Sequence, residues 1–153
     1  MTNFNWNVQL GQVFNITDID QALLIELTNE EYKPDEYSSW ENTKNGLAAE
    51  RMLIELCGYT NDPRPYKDVF NPDEISIEVK SFGDHREDPE IYKKETLAKL
   101  WERKVMWKKD ISEYVIFFKR NEREGTYTVD EMFVWDKPAN TWRSEKSDKL
   151  NVL

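Results

Sequence analysis

Three side chains in the middle of the chain have the types and spacing needed to act on a phosphate ester. Glu78 and Lys80 are two residues apart, so on a β-strand both would leave the same face. Asp68 lies ten residues before Glu78, and a hairpin between them would bring the two carboxylates together by antiparallel pairing. Phosphodiester hydrolysis is commonly served by a divalent metal ion held by carboxylates. A lysine beside the attacked phosphate can orient the water, help to deprotonate it or neutralise charge.

The same residues also suit a purely structural role. Glu-x-Lys is a common tripeptide, and an amphipathic strand with a cross-strand ion pair would show the same pattern. In the catalytic interpretation, the backbone carbonyl of Val79 could be a further oxygen ligand to the metal ion.

The elements that must position these side chains can be predicted from the apolar pattern. Tyr66–Phe70 and Ile75–Phe82 read as the strands of a hairpin, with a turn from Asn71 to Glu74. In the second strand, Ile77 and Val79 alternate with Glu78 and Lys80, which predicts one face in the core and one face for chemistry.

The flanking elements predict an α/β fold. A helix is expected over Ser39 to Cys57, ended by Gly58, and a second over about Glu90–Lys108. Tyr114–Lys119 reads as a central strand and Thr126–Trp135 as another. The order is helix, two strands, helix, two strands, which predicts a central mixed β-sheet flanked by helices.

The two ends of the chain are harder to interpret. Trp6 to Leu10 alternates briefly like a strand, whereas Ile19–Leu27 could be a helix capped by Thr17 or could be extended. The tail from Lys137 is polar and is expected to be partly loose. We therefore predict an N-terminal extension over residues 1–35, a core over 36–136 and a C-terminal tail over 137–153.

Composition limits the classes of chemistry. The chain has 153 residues, a size that suits one domain, and contains one cysteine and one histidine. Cys57 is expected to be a small buried residue, and His85 a surface residue. Zinc chemistry lacks ligands here, which leaves Mg²⁺ or Mn²⁺ on carboxylate oxygens. No apolar run reaches the length of a membrane span and no secretory signal is seen, so the cytoplasm is the expected location.

The charge is unevenly distributed along the chain. The net charge is −9, yet residues 93–124 carry 10 basic and 6 acidic side chains. A basic face on an acidic chain can still meet phosphate, although a solvated helix surface would give the same pattern. Trp101 and Trp107 are expected in the core or at an interface. The candidate phosphate contacts are Lys93, Lys94, Lys99, Arg103, Lys108 and Lys109.

Two segments resemble a known family. Asp68 to Ser81, with an Asp, a turn and then Glu-x-Lys on an aliphatic strand, is similar to the signature of the PD-(D/E)XK nuclease superfamily. This superfamily includes restriction enzymes, Holliday junction resolvases and some homing endonucleases. Asn45 to Tyr59 resembles the first helix of its resolvase-like members, and there Glu50 matches the carboxylate that helps to bind metal directly or through water.

The match to the family has three departures. A literal Pro72-Asp73 stands only five residues before Glu78, so we interpret it as the turn. Asp68 follows Lys67 instead of a proline. Glu55 is a competing helix carboxylate, which we expect to be solvated.

The resemblance implies a restriction-endonuclease-like core and a Mg²⁺- or Mn²⁺-dependent endonuclease that cleaves DNA. Asp68, Glu78 and the Val79 carbonyl would be the metal ligands, Glu50 would assist them, and Lys80 would act on the attacking water. Cleavage of both strands by so small a chain suggests a homodimer or homotetramer. Whether cleavage is of the restriction, homing or junction type stays open. The alternative is a catalytically inactive nuclease-fold binding protein or an acidic DNA mimic.

Overall fold

The computed structural model describes residues 4–34, 39–65, 67–146 and 150–151. Three α-helices occur in these ranges, together with a 3₁₀ turn (Ile16–Asp18) and a π-helical turn (Glu102–Met106). The helices are α1 (Gln21–Glu31), α2 (Trp40–Cys57) and α3 (Pro89–Trp101). The strands are β1 (Val13–Asn15), β2 (Thr60–Asn61), β3 (Val69–Phe70), β4 (Ser76–Gly83), β5 (Tyr114–Asn121), β6 (Thr126–Asp136), β7 (Thr141–Ser144) and β8 (Leu150–Asn151).

The strands form one mixed sheet in the order β2-β3-β4-β5-β6-β7-β8, and β1 pairs with β6. Strands β4 and β5 are parallel, with α3 in the connection between them, and the other pairs are antiparallel. Ile116 and Phe118 of β5 face a cluster that includes α2, whereas Val115 and Phe117 face the cluster that includes α3. Helices therefore cover both faces, and the prediction of an α/β fold with a central mixed sheet is confirmed.

Helix α2 matches the predicted boundaries closely. Ser39 is the N-cap and accepts a hydrogen bond from the Asn42 N–H, while Gly58 ends the helix in the left-handed region at φ 79°. Cys57, in the last turn, is buried as expected, and burial raises the pKa of its thiol to about 11. The predicted start at Ser39 and the predicted end before Gly58 are both confirmed.

Helix α3 is shorter than predicted. It begins at Pro89, where Asp88 caps the helix by accepting from the Ile91 N–H, and its α-helical part ends at Trp101. The helix then changes to the wider π-helical hydrogen-bond pattern over Glu102–Met106. The prediction of one continuous helix to Lys108 was therefore wrong at its C-terminal end.

The N-terminal residues belong to the main core. Trp6 and Val8 are buried but are not in a strand, so the strand predicted there is wrong. Helix α1 confirms the helical alternative for this region, with Asp20 as its N-cap in place of Thr17. Leu24 is fully buried in the same cluster as the apolar residues of α2.

Glu55 also joins the N-terminal segment to α2. Its carboxylate accepts a hydrogen bond of 2.8 Å from the Asp20 N–H and another of 2.9 Å from Arg51. The expectation of a solvated carboxylate was wrong, because Glu55 has a structural role at the start of α1.

The polar tail contributes to the sheet. Strand β7 pairs with β6, with Trp142 opposite Trp135. The Trp142 side chain is fully buried, and its indole N–H donates to the Leu97 carbonyl at 3.2 Å. Residues 141–144 are therefore not loose, because one buried tryptophan anchors an otherwise polar segment.

No helix in the described ranges has the length and apolar character that crossing a membrane requires.

Candidate active site

The predicted hairpin brings Asp68 beside Glu78. Strands β3 and β4 pair antiparallel with Val69 opposite Ile77, and the same register places Asp68 opposite Glu78. The Val79 N–H donates a hydrogen bond of 2.8 Å to Asp68 Oδ2, which fixes the carboxylate against β4. The predicted Tyr66–Phe70 strand is reduced to Val69–Phe70, and Tyr66 lies outside the described residues.

The turn between these strands depends on Asn71. Its side-chain oxygen accepts from the N–H groups of Asp73 and Ile75, at 3.0 and 2.8 Å. Asp73 is exposed at the turn, far along the hairpin from Glu78. This supports the interpretation of Pro72-Asp73 as the turn and of Asp68 as the carboxylate that reaches the site.

Lys80 completes the group on β4. Its Nζ lies 3.1 Å from Glu78 Oε2. Burial lowers the pKa of Lys80, but the attraction of Glu78 and Asp68 outweighs it, so the pKa is raised overall. Lys80 is therefore an ammonium group at neutral pH, able to donate hydrogen bonds and to neutralise negative charge.

Glu50 approaches this group from α2. Burial raises the pKa of Glu50 well above its ordinary value, and the charges of Asp68, Glu31 and Glu78 raise it further. The helix carboxylate predicted at Glu50 therefore lies in the electrostatic neighbourhood of both strand carboxylates. Glu55, on the same helix, contacts Asp20 and Arg51 instead.

The three carboxylates repel one another, and the Lys80 charge offsets this repulsion only in part, since the pKa values of Glu50 and Asp68 stay raised. Burial raises the pKa of Asp68 to about 7, with a further contribution from the charge of Glu78. Groups with pKa values shifted in this way are common where a protein does chemistry, because folding alone gains nothing from the repulsion. A divalent cation would relieve the repulsion.

The donors present fit a hard divalent cation. No three or more His, Cys, Asp or Glu side chains among the described residues form a group that could hold a metal ion by themselves. Mg²⁺, however, usually takes one or two carboxylates and keeps several waters, and it is seldom enclosed by an all-protein cage. Asp68 and Glu78 supply two carboxylates, and the charge of Glu50 is felt by the same group.

Two clefts give access to these residues. The first, which we name the Lys80 cleft, has a volume of about 940 Å³ and extends from Lys80 to the start of α3. The second, the Glu50 cleft, has a volume of about 630 Å³ and includes Asp68. Arg86 and Arg120 line the first, while Arg51, Arg64 and Lys67 line the second. Cationic side chains therefore stand on both approaches to the carboxylates.

Several of these cleft residues were missed by sequence reasoning. Arg120 comes from the end of β5 and Asn45 from α2, so only the packing of distant segments brings them beside Lys80. Gly83, directly after a predicted strand, was a sequence feature that indicates a close approach of other groups. A Cβ at this position would lie 2.6 Å from His85 Cε1 and 3.1 Å from Arg120 Nη2, so the glycine admits both side chains. His85 is exposed, as predicted.

The predicted phosphate contacts divide into two groups. Lys93 is buried, with its Nζ 2.7 Å from Glu131 and 2.8 Å from Asp130. Its charge is thus used inside the protein, and we do not retain it as a phosphate contact. The remaining candidates are exposed: Lys94, Lys99, Arg103, Lys108 and Lys109.

No protein-family model matches this chain, and no curated protein matches it. The likeness to the PD-(D/E)XK superfamily therefore depends on the two motifs and on the geometry of Asp68, Glu78, Lys80 and Glu50.

The repulsion at Asp68 leads to a prediction about stability without metal. The folded state holds a proton on Asp68 up to about pH 7, against 3.8 for the ordinary group, so it binds more protons than the unfolded state between these values. The contribution of Asp68 to stability in EDTA should therefore be largest at the acidic end of this range and decrease as the pH rises towards 7. Asp68→Asn keeps an acceptor for the Val79 N–H and removes the charge. We expect it to raise the free energy of unfolding at pH 8 by about 1–3 kcal/mol.

Urea denaturation in EDTA at pH 5 and pH 8 measures this effect. Asp73→Asn, on the exposed turn of the same hairpin, is the matched control and should change stability by less than about 0.5 kcal/mol. A loss of stability in Asp68→Asn at pH 8 would contradict the prediction.

Proposed function

We propose that the protein is a Mg²⁺-dependent endodeoxyribonuclease with a restriction-endonuclease-like core. The observation that carries the proposal is the position of the Asp68 carboxylate beside Glu78 on paired strands, with the Lys80 ammonium 3.1 Å from Glu78. The resemblance to the PD-(D/E)XK motif assigns its Asp, Glu and Lys to these same three residues.

Each residue then has a distinct role. Asp68, Glu78 and the Val79 carbonyl would hold Mg²⁺ (or Mn²⁺), with Glu50 assisting through water. When bound, the ion lowers the pKa of water and stabilises negative charge on the phosphoryl group. Lys80, as an ammonium group, donates to the attacking water or to a phosphate oxygen and neutralises charge that develops during the reaction.

The surroundings suit a polyanionic substrate. Arg86 stands in the Lys80 cleft, where it can pair with a phosphate beside the scissile bond, and Arg120 could do so by exchanging its partner Glu122, which lies 3.1 Å away. The exposed basic residues of α3 and the following turn extend the positive surface. Cleavage of both strands would still require a second active site, so a homodimer or homotetramer in the cytoplasm remains part of the proposal.

The rival is a catalytically inactive nuclease-fold binding protein or an acidic DNA mimic. The net charge of −9 favours it. The partly buried, mutually repelling carboxylates disfavour it. Their repulsion lowers the stability of the fold, and DNA binding or mimicry does not require it.

The proposal is tested by incubating the full chain with supercoiled plasmid in Mg²⁺, in Mn²⁺ and in EDTA. We expect nicked and linear products with either metal ion and none in EDTA. Linear duplex, single-stranded DNA and a four-way junction, assayed in parallel, would define the substrate. Absence of cleavage of all four DNAs, with no heat of Mg²⁺ or Mn²⁺ binding in the presence of DNA, would overturn the nuclease assignment.

A further inference from the structure

An aromatic side chain stands exposed at the end of the π-helical turn. Trp107, which we expected in the core or at an interface, is outside the core and 64% exposed, and its indole N–H donates to Glu102 Oε1 at 3.2 Å. Among the described residues, no other ring stacks on Trp107. Exposure of so large an apolar ring to water is unfavourable. A partner stacked on the ring face would remove that surface from water.

The residues around this tryptophan are strongly basic. Residues 99–109 contain five basic side chains and one acidic side chain, Glu102, in a protein of net charge −9. Lys104 is engaged with Glu113 at 3.5 Å. The other four, Lys99, Arg103, Lys108 and Lys109, form no ion pair with any described residue. This local excess of positive charge suits a polyanion.

The Trp107 ring and three of these basic side chains line the same groove. Lys99, Arg103, Trp107 and Lys109 line a depression of about 490 Å³, together with Glu102, and we name it the Trp107 groove. Its volume is in the range of small-ligand sites, so it can hold a nucleotide unit. Because Glu102 fixes the indole N–H, the ring is oriented before a ligand arrives.

The groove lies close to the candidate active site. Asp110, next to Lys109, approaches Lys67 Nζ at 3.3 Å, and Lys67 adjoins Asp68. Ser112 Oγ lies 2.6 Å from Ser76 Oγ, at the start of β4. The Cα atoms of Trp107 and Asp110 are at most about 11 Å apart, since three peptide units separate them. One nucleic-acid strand could therefore reach both places.

We propose that the Trp107 groove binds a single-stranded segment of nucleic acid, with a base on the Trp107 ring and phosphates on Lys99, Arg103 and Lys109. A base in a duplex has both faces stacked on its neighbours, whereas an unpaired base can place a face on an aromatic ring. The proposal rests on the proposed function in one respect: the strand would be the unpaired part of the same substrate. Duplex ends, flaps and junctions would then be preferred to uniform duplex.

The test compares two oligonucleotides of equal length and charge, one of thymidines and one of abasic units, by fluorescence anisotropy in EDTA. Cleavage cannot occur in EDTA, so failure of the nuclease proposal leaves this measurement intact. We expect Trp107→Ala to weaken binding of the thymidine strand roughly tenfold and to leave the abasic strand within about twofold. Arg103→Ala/Lys109→Ala should weaken both strands and make the salt dependence less steep by about 1.4 in log–log slope.

Two control variants show whether the effect is specific to the ring and its charges. Met106→Ala removes an exposed apolar side chain next to Trp107, and Arg123→Ala removes one positive charge from the β5–β6 turn. Neither should change the affinity for thymidines more than about twofold. Equal weakening of both strands by Trp107→Ala, or no weakening of either, would overturn base stacking. A dimer in sedimentation that dissociates on Trp107→Ala would assign the groove to a second copy of the chain instead.

Discussion

Lys80→Ala is expected to reduce the rate of DNA cleavage by about 100-fold or more, while the affinity for DNA in EDTA changes little. The Lys80 ammonium lies 3.1 Å from Glu78, and its raised pKa keeps it charged at neutral pH. Its removal leaves the charge that develops at phosphorus without this donor. Glu78→Ala should show a loss at least as large, because it removes one of the two carboxylates placed to bind metal. Single-turnover cleavage of plasmid under saturating Mg²⁺ measures both effects.

Two further variants make this result specific. Lys119→Ala removes one positive charge from the neighbouring strand, where Lys119 pairs with Phe82, and should retain near-normal cleavage. Lys80→Arg keeps the charge in a group that cannot be deprotonated. We expect it to cleave at least about tenfold faster than Lys80→Ala, since charge and donation are the assigned role. Equal rates for wild type, Lys80→Ala and Glu78→Ala would remove this site from the mechanism.

Lys93→Met is expected to lower the free energy of unfolding by about 3–5 kcal/mol. Lys93 lies in α3 with its side chain 3% exposed, and its Nζ is within 3.0 Å of carboxylates from Glu90, Asp130 and Glu131. Glu131 is almost as deeply buried and also accepts from the Ser144 hydroxyl. Loss of the ammonium group leaves the Glu131 carboxylate charged and buried without a cation.

Urea denaturation followed by circular dichroism tests this prediction. Lys94→Met, one residue along on the exposed side of α3, is the control and should change stability by less than about 0.5 kcal/mol. Adding Glu131→Gln to Lys93→Met should restore about 1–2 kcal/mol, because the amide carries no charge. A loss in Lys93→Met no larger than in Lys94→Met would show that the cluster adds nothing to stability.

The pKa of Lys93 gives the direction of the pH dependence. Burial lowers this pKa, but hydrogen bonds from Lys93 to Asp130, Glu131 and Glu90 raise it overall, above the ordinary 10.5. The stabilisation is therefore complete below 10.5 and is lost only at higher pH. The cluster holds α3 to β6 throughout the range in which DNA cleavage would be assayed. This matters for the site, because Tyr92 of α3 lines the Lys80 cleft and donates to the Ser81 carbonyl at 3.1 Å.

The sequence alone determined the features that depend on nearby residues. Ser39 and Gly58 marked the ends of α2 because caps act within one helical turn. Asn71 to Glu74 marked the turn, and the alternation of Ile77 and Val79 with Glu78 and Lys80 assigned the faces of β4. Asp68, Glu78 and Lys80 could be grouped because only one turn separates them.

Tertiary structure decided what depends on distant partners. The same charge pattern predicted Lys93 and Lys94 to be exposed, yet Lys93 is buried because Glu131, thirty-eight residues away, supplies its counter-charge. Trp142 and Trp107 both lie in polar segments, but the first is buried against Leu97 and the second remains in solvent. Whether a charged or aromatic side chain is buried depends on the groups that contact it after folding. The spacing of residues in the sequence does not identify those groups.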